Sequence, residues 1–394
     1  MSSGNPVITH IELIAFNIEV PNTATDRAGM GVSYRPGPGM PMRRFAVRIH
    51  TDTGVVGEYV PPRARAKVIM AACEALAYRL IGQPALERER HYQAMRRATK
   101  HVGEVGIGAL DIALWDLAGK HQGVSIATML GGYRKRLPTY ASTLHGDSLP
   151  DGLSSPGAYA DFAEQCLELG YPAYKMHGWN AGNPAEEIPM LRAVAARVGG
   201  RMDIMYDSAG HLATFADAIR VGKVCDELDF YWLEDPYSDG GISINGHRRL
   251  KEHVKTPILI TEFVRNAEST IDILNSGATD FGRADPDYDG GITGCLKTAI
   301  ACEALGMDCE VHACGPPMRH LMAALRNSNY YEMNLLHPRM TNAWSLPVYA
   351  CDYADEIDSI GADGCVPVPE GPGLGVRYDW DRITAGHLET VRID

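Results

Sequence analysis

The sequence predicts an α/β protein in which a barrel of parallel strands follows an α+β domain. Three observations support this class. Eight short β-prone runs alternate with helical stretches from about residue 138 onward, antiparallel strand patterns occupy the N-terminal end, and 45% of the 394 residues are hydrophobic. A chain of this size can bury one large core or two moderate ones.

The N-terminal region reads as a meander of antiparallel strands followed by helices. Strand patterns cover residues 7–19, 44–53 and 54–59, and the turn Asp52-Thr53-Gly54 joins the last two. Helical periodicity follows over residues 65–81 and 107–121. Between the first two strands, residues 21–42 lack any periodicity of their own. A loop of roughly that length is usually mobile or functional.

The repeating part of the chain predicts the barrel. The β-prone runs are residues 138–142, 173–177, 202–207, 230–234, 258–262, 279–285, 309–313 and 330–335. The helical stretches between them are residues 156–169, 185–198, 215–227, 244–253, 268–276, 293–304 and 317–326. Eight strands with intervening helices favour a barrel, and a doubly wound open sheet is the alternative. The dinucleotide fingerprint typical of that alternative is missing, since Gly131-Gly132 follows a helix rather than a strand.

These patterns predict two domains. We expect an α+β capping domain over residues 1–130 and a barrel with the active site over residues 131–358. The Gly/Pro-rich tail, residues 359–394, is too irregular to continue the barrel, and we expect it to pack back on the first domain.

Charge and targeting signals exclude several classes of partner. Lys+Arg number 37 against 49 Asp+Glu, a formal charge of −12, and no basic run offsets it, so neither nucleic acid nor an anionic membrane is an expected partner. No apolar stretch reaches transmembrane length and no signal peptide opens the chain, which predicts a soluble cytoplasmic protein. Nine cysteines without a C-x-x-C pair indicate reduced thiols.

Three acidic residues end successive predicted strands: Asp207, Glu234 and Glu262, separated by 27 and 28 residues. In a parallel barrel the carboxyl ends of the strands meet at one rim, where active sites of this fold lie. Three converging carboxylates repel one another unless a hard cation lies between them, and oxygen ligands suit Mg²⁺. A single acid at a strand end is usually a solvated turn residue, but three in register predict a Mg²⁺ site.

Further chemistry-bearing residues flank these acids on neighbouring strands. Lys175 and His177, at i and i+2, can both face the barrel mouth one unit before Asp207. Asp285 and His312 end the next strands, so that Asp285 can accept a hydrogen bond from one imidazole nitrogen and raise the basicity of the other. Glu332, in the eighth strand, completes the ring.

As an ordered set, these motifs resemble the mandelate racemase subgroup of the enolase superfamily. The segment ALDIALWDLAGKHQGVSIATMLGG, residues 109–132, is similar to the helix that precedes the barrel in that superfamily. The resemblance implies a modified (β/α)8 barrel of (β/α)7β type with an N-terminal α+β capping domain, and Mg²⁺ as cofactor. It also implies residue roles: Mg²⁺ ligands at Asp207, Glu234 and Glu262, an acid/base pair at Lys175 and His177, an opposing dyad at Asp285 and His312, and a hydrogen bond from Glu332 to the substrate carboxylate.

The implied reaction is removal of the α-proton of a hydroxy-carboxylate through an enediolate, for which a divalent cation and a Lys or His base are typical. K-x-H together with the His-Asp pair favours dehydration of an aldonic or aldaric acid sugar to a 2-keto-3-deoxy product. A racemase or epimerase of a 2-substituted carboxylate is the first alternative, and a non-catalytic barrel that binds an acidic metabolite is the second. We expect the strand-two pair to abstract the proton, because nearby Mg²⁺ lowers the pKa of Lys175, and His312 to act as the acid. The sequence does not decide between Lys175 and His177.

The resemblance also points to residues that meet the substrate, a small acid sugar. Tyr34, Arg35, Arg63 and Arg65 lie in segments where the capping domain of the family contacts substrate, and they can bind hydroxyls or a distal carboxylate. Exposed, solvated side chains are the alternative for each. Flat helical outer faces and family habit suggest a homo-oligomer, a dimer or a larger even assembly.

Overall fold

The computed structural model of the chain describes residues 4–26, 31–63, 65–237, 243–345 and 347–394. The predicted fold class is confirmed: a curled, mainly parallel sheet covered by helices is joined to a four-stranded antiparallel sheet. The domain boundaries at residues 130 and 358 stay a prediction.

The antiparallel sheet is built from long alternating strands of the N-terminal region. In chain order, the strands there are β1 (Ile8–Val20), β2 (Thr23–Ala24), β3 (Ser33–Tyr34), β4 (Met40–Thr51) and β5 (Val56–Tyr59). β1 pairs with β4, and β4 with β5, around a turn in which Gly54 has a φ of +79°. That φ lies in the region that glycine enters without steric cost.

The described residues of the 21–42 segment, 21–26 and 31–42, are more regular than the sequence predicts. β2 and β3 form a small antiparallel hairpin, and β4 begins within the expected loop. The Thr23 hydroxyl explains part of this order, because it donates to the Val20 carbonyl at 2.6 Å and accepts from the Met40 amide at 3.2 Å. These two bonds hold the hairpin against the ends of the long strands.

Four helices follow: α1 (Ala66–Ala77), α2 (Arg88–Thr99), α3 (Ile107–Gln122) and α4 (Ile126–Met129). The sequence predicts α1 and α3. It misses α2, whose charged sequence RERHYQAMRRAT carries a buried face of only four residues. α3 is buried over most of its length and contacts both β5 and the barrel helix α10 (Gly291–Ala304), so it joins the two sheets.

The strands and helices of the barrel alternate as the sequence predicts. The strands are β6 (Arg136–Thr143), β7 (Ala173–Met176), β8 (Asp203–Asp207), β9 (Trp232–Glu234), β10 (Ile258–Leu259), β11 (Phe281–Ala284), β12 (Asp308–Val311) and β13 (Tyr331–Leu336). The helices, besides α10, are α5 (Pro156–Glu168), α6 (Pro184–Val198), α7 (Phe215–Glu227), α8 (Ile244–Leu250), α9 (Ala267–Ser276) and α11 (Pro316–Ala324).

Local sequence explains where these helices begin. The helices α5 to α9 each start at a Ser, Thr or Asn whose side-chain oxygen accepts a hydrogen bond from a backbone N–H of the first turn. Such caps satisfy donors that the helix itself leaves unpaired. The helices therefore start at defined positions, which sets the length of each loop at the barrel mouth.

The curled sheet runs β12-β11-β10-β9-β8-β7-β6-β13. Between β12 and β13 the described residues form no backbone ladder, and side chains bridge the two strands instead. Glu332 accepts from the amide of Ala313 at 2.7 Å, and Asn334 accepts from the amide of Cys314 at 3.2 Å. Polar side chains thus close the barrel beside the predicted site.

The C-terminal tail contributes to both sheets. β15 (His387–Ile393) pairs antiparallel with β1 and extends the N-terminal sheet, and α12 (Trp380–Ala385) precedes it. The expectation that the tail does not continue the barrel is wrong at one point, because β14 (Cys365–Pro367) pairs antiparallel with the start of β6. Val366 is fully buried there, which explains why so short and proline-containing a strand is held.

Among the described residues, no helix combines the length and apolar character that a membrane span requires. All nine cysteines are free, as the sequence predicts.

Candidate active site at the barrel mouth

The barrel interior consists of an apolar layer and a polar layer above it. The apolar layer is one buried side chain from each of six consecutive strands: Tyr140, Ala173, Met205, Trp232, Leu259 and Phe281. Two residues further along a strand, a side chain points to the same side of the sheet. That step leads from Ala173 to Lys175, from Met205 to Asp207, from Trp232 to Glu234 and from Phe281 to Arg283. The polar layer therefore lies at the carboxyl ends of the strands.

The three acids that the sequence singles out meet in this layer. Asp207, Glu234 and Glu262 each place a carboxylate oxygen so that the three oxygens lie within 4.8 Å of one another. The first two side chains are buried, and Glu262, just beyond β10, is partly exposed. The converging oxygens are of the kind that Mg²⁺ prefers.

The charges of this layer also fit a divalent cation. Its acids are Asp207, Glu234, Glu262 and Glu332, and its cations are Lys175 and Arg283. Two negative charges therefore remain uncompensated before other groups are counted. The same crowding acts on Asp235: burial, and then the charges of Glu262, Asp207 and Glu234, hold the pKa of this carboxyl group well above its ordinary value, which favours its neutral form. Its buried Oδ2 accepts no hydrogen bond from the described residues, an orphan that a cation would relieve.

Lys175 is completely buried among carboxylates. Its Nζ lies 2.8 Å from Glu234, 3.0 Å from Glu332 and 3.4 Å from Asp207. Burial alone would lower the pKa of the ammonium, but Glu234 and Glu332 outweigh burial and hold that pKa well above its usual value. The expected lowering of the pKa of Lys175 depends on Mg²⁺ bound to these carboxylates, and it stays a prediction for the metal-bound site. In this environment Lys175 is a cation that pairs with Asp207, Glu234 and Glu332.

His177 faces the same aspartate. Its Nδ1 lies 2.6 Å from the carbonyl of Thr143, so Nδ1 carries a hydrogen, and its Nε2 lies 3.0 Å from Asp207. Burial would lower the pKa of His177, but the charge of Asp207 and the hydrogen bond to it raise the pKa overall. Next to this ring lies His145, which sequence reasoning missed although it follows the first barrel strand; the ring centroids are 5.6 Å apart.

On the other side of the carboxylates, Asp285 and His312 form the predicted pair. His312 Nδ1 lies 2.6 Å from Asp285 Oδ2, and its Nε2 lies 3.5 Å from Glu262. Burial would raise the pKa of Asp285, but Arg63 and His312 lower it below the ordinary value, so the carboxylate is an acceptor. In the neutral ring the hydrogen is therefore on Nδ1, and the lone pair of Nε2 faces the carboxylate group at the mouth.

Arg283, which sequence reasoning missed, is a buried cation of this layer. Its Nη2 lies 2.8 Å from Glu234 and 3.1 Å from Glu332. The available signal was its position two residues before Asp285 on one strand, which turns both side chains inward. Burial would raise the pKa of Glu332, but Lys175 and Arg283 hold it well below the ordinary value. An ionised Glu332 accepts hydrogen bonds, whereas a hydrogen bond from Glu332 to a substrate carboxylate would require the protonated acid. That contact stays a prediction.

Unusual backbone conformations occur at these same strand ends. Ala209, Asp235, Thr261 and Ala313 have φ angles of +49°, +35°, +99° and +67°. Residues other than glycine rarely adopt such angles, and they cluster at functional sites. Two of them direct amides at site carboxylates: Ala209 donates to Asp207 at 2.7 Å, and Ala313 to Glu332.

The four predicted substrate-binding residues separate into two groups. Arg35 and Arg65 are exposed. Tyr34 is buried at the rim, where its hydroxyl donates to Asp151 at 3.0 Å and its ring stacks on His337 at 4.3 Å. Arg63 is also buried, which excludes a solvated side chain.

The placement of Arg63 departs from the expected contact with a distal substrate carboxylate. Its Nε and Nη2 are already bonded to the carboxylates of Asp287 and Asp285. These donors pair with acids of the protein rather than with substrate, because two neighbouring buried acids require a cationic partner.

Comparisons with known proteins agree with this geometry. Residues 158–382 match the family model "Enolase C-terminal domain-like", and residues 42–131 match "Mandelate racemase / muconate lactonizing enzyme, N-terminal domain". D-galactarolactone cycloisomerase of Agrobacterium fabrum is 27% identical, with 86% of this chain and 89% of that protein covered. L-rhamnonate dehydratase of Saccharopolyspora erythraea is also 27% identical, with 85% and 83% covered.

Solved structures of similar proteins share the fold of this chain. The crystal structure of D-glucarate dehydratase from Agrobacterium tumefaciens, complexed with magnesium, matches with a TM-score of 0.85 and 29% identity. The match covers 98% of this chain and all of that one.

Proposed function

Because the chain belongs to the mandelate racemase and muconate lactonizing enzyme family of the enolase superfamily, we propose that it is a Mg²⁺-dependent dehydratase of an aldonic or aldaric acid sugar. One observation carries this proposal. Three convergent carboxylates lie between two different acid/base groups, His312 on one side and the Lys175-His177 pair on the other. Relatives named as dehydratases of gluconate, xylonate and rhamnonate support the class of substrate.

The residues that would hold Mg²⁺ are Asp207, Glu234 and Glu262. When bound, the ion neutralises the second negative charge that builds on a substrate carboxylate as its α-proton leaves. Neighbouring groups of the protein hold two of these side chains in fixed orientations. Lys175 and the amide of Ala209 orient Asp207, while Lys175 and Arg283 fix Glu234.

His312 removes the α-proton in this proposal. Asp285 accepts from Nδ1 at 2.6 Å, which leaves the Nε2 lone pair directed at the mouth. Among the described residues, its nearest ionic neighbour is Glu262 at 3.5 Å. When Nε2 takes the proton, the adjacent carboxylate stabilises the imidazolium. The contacts thus favour the reverse of the assignment expected from sequence. On the opposite face His177 Nε2 is engaged by Asp207, and Lys175 by three carboxylates.

The opposite face then supplies the acid. A proton from the Lys175-His177 pair goes to the β-hydroxyl, the bond from carbon to that oxygen breaks, and water leaves. The electron pair of the α-carbon forms the new carbon–carbon double bond. The resulting enol tautomerises to a 2-keto-3-deoxy acid, so the proton removed by His312 and the proton given to the hydroxyl balance.

Two alternatives to a dehydratase are considered: a racemase or epimerase, and a barrel without catalytic activity. Groups on opposite faces also suit a racemase or epimerase, in which the second face returns the proton to the α-carbon. A non-catalytic barrel that binds an acidic metabolite has no use for a buried lysine, a His-Asp pair and three convergent acids in one layer.

A product screen separates these possibilities. The purified protein with Mg²⁺ is incubated with a library of aldonic and aldaric acids, and formation of a 2-keto acid is measured with and without a chelator. We expect metal-dependent 2-keto product from a small set of stereochemically related sugars. Isomerised acid without keto product would instead establish the epimerase, and no change in any acid would contradict catalysis on this substrate class.

A further inference from the structure

Arg63 links the N-terminal half of the chain to the His312-Asp285 pair. It follows β5, in the segment that leads to α1, and its side chain is 4% exposed. Nη2 lies 2.8 and 2.9 Å from the two carboxylate oxygens of Asp285, and Nε lies 2.7 Å from Asp287. One guanidinium therefore spans Asp285 and Asp287, two of the three acids in the loop after β11, in a fork geometry that lysine cannot reproduce.

The other contacts of this loop show what Arg63 holds in place. Asp285 Oδ2 accepts from both Arg63 and His312 Nδ1, and its Oδ1 also accepts from the amide of Asp287 at 2.9 Å. The carboxylate of Asp287 accepts from the hydroxyl of Tyr59 at 2.7 Å. Without Arg63, two buried acids would repel each other, and the plane of the Asp285 carboxylate would lose its main constraint.

The backbone of the loop is fixed from the same side. Gly108, near the start of α3, packs so closely that a Cβ there would lie 2.4 Å from the carbonyl oxygen of Asp287. Both Arg63 and α3 belong to the N-terminal region, so the loop that carries Asp285 is shaped by contacts from outside the barrel.

From these contacts we propose that Arg63 is a positioning residue for His312. It sets the orientation of Asp285, which sets the orientation and tautomer of the imidazole, so docking of the N-terminal region on the barrel assembles the base. The catalytic consequence rests on the proposed function. The structural consequence, a hydrogen bond between His312 and Asp285 that depends on Arg63, does not.

The first measurement is therefore spectroscopic. In full-length protein labelled with ¹⁵N-histidine, the Nδ1 proton of His312 should give a downfield resonance, assigned by its absence in His312→Asn. We expect this resonance to be lost in Arg63→Met and to return when guanidinium ion at a non-denaturing concentration is added. Arg63→Lys keeps the charge without the fork, should fold, and should give a weaker resonance. The matched control is Arg265→Met, since Arg265 stacks on Tyr288 and lies 3.6 Å from Asp289 of the same loop, and forms no hydrogen bond to Asp285 in the part of the chain that the structure describes.

The second measurement is turnover of an acid sugar that the wild-type enzyme dehydrates. Misplacement of a catalytic group by about 1 Å costs roughly 100-fold in rate. We expect such a fall in kcat for Arg63→Met, little change in KM, partial rescue by guanidinium ion, and near-normal kcat for Arg265→Met. A resonance of wild-type intensity in Arg63→Met, or a kcat of wild-type size in that variant, would overturn the proposal. If no acid sugar is turned over by the wild type, the proposed function fails and the resonance alone decides the role of Arg63.

Discussion

Replacement of His312 by Asn tests which face of the site removes the proton. The Asn amide can still donate to Asp285, which His312 contacts at 2.6 Å, so the buried carboxylate keeps a partner. What is lost is the Nε2 lone pair that faces Glu262 at 3.5 Å. Arg63 continues to hold Asp285 through both of its oxygens. The substitution therefore removes the proposed base and leaves its surroundings in place.

The expected magnitude follows from these contacts. A positioned general base contributes typically 100- to 10,000-fold to the rate. His312 is held by a short hydrogen bond to an ionised, buried Asp285, which favours the upper end of that range. A loss of about 10,000-fold corresponds to roughly 5.5 kcal/mol of transition-state stabilisation at about 1.4 kcal/mol per factor of ten.

Two signals are followed in deuterated water with an acid sugar that the wild type dehydrates: exchange of the α-proton and formation of 2-keto product. We expect His312→Asn to lose both signals. The matched variant His177→Asn should lose product and retain exchange, because it disables the acid on the other face. If His312→Asn kept exchange while His177→Asn lost it, the assignment of base and acid would be reversed, in agreement with the expectation from sequence.

Four other predictions concern separate parts of the molecule. Glu234→Gln should abolish both Mg²⁺ binding by calorimetry and turnover, and activity that survives this change and a chelator would show that the site is misassigned. Burial raises the pKa of Asp111 to about 7 despite hydrogen bonds from Thr293, so the folded protein binds this proton more tightly than the unfolded chain does. The free energy of unfolding should therefore fall as the pH rises from about 4 to 7. Asp111→Asn has no carboxyl group to ionise and should not show this fall. In urea titrations the free energy of unfolding of Asp111→Asn, relative to wild type, should gain up to roughly 4 kcal/mol between pH 4 and pH 8, and identical pH profiles of the two proteins would contradict this. Tyr34→Phe deletes the hydroxyl that donates to Asp151 and should raise KM by up to about tenfold with kcat little changed; an unaltered KM would exclude Tyr34 from the binding site. Light scattering at micromolar concentration should show a dimer or larger even assembly, and a monomer would contradict this.

The regular part of the fold follows from local patterns in the sequence. Each barrel strand and helix is bounded by turn residues or caps, and the spacing of Asp207, Glu234 and Glu262 places them at one rim because parallel strands end on the same side. β14 lacks such a pattern, since three residues held by one buried valine carry no periodicity.

The pairing of charges is not local and could not be predicted. Arg63 bonds to Asp285 across 222 residues, so no spacing rule connects them, and an arginine near a predicted substrate site looks like a ligand for that substrate. Likewise, the state of Lys175 depends on Glu332, which comes from the last strand of the barrel. A lysine on a buried strand signals a functional group, but the direction of its pKa shift depends on which carboxylates surround it.

In the proposed reaction, His312 removes an α-proton next to a substrate carboxylate, at a site where three carboxylates would hold Mg²⁺. The most direct measurement is proton NMR of the α-position of acid sugars incubated with wild-type protein in deuterated water, with Mg²⁺ or with a chelator. We predict that for at least one acid sugar the α-proton signal disappears only in the presence of Mg²⁺, with water loss and a 2-keto-3-deoxy product. Retention of every α-proton signal in the presence of Mg²⁺, across aldonic and aldaric acids, would contradict the claim.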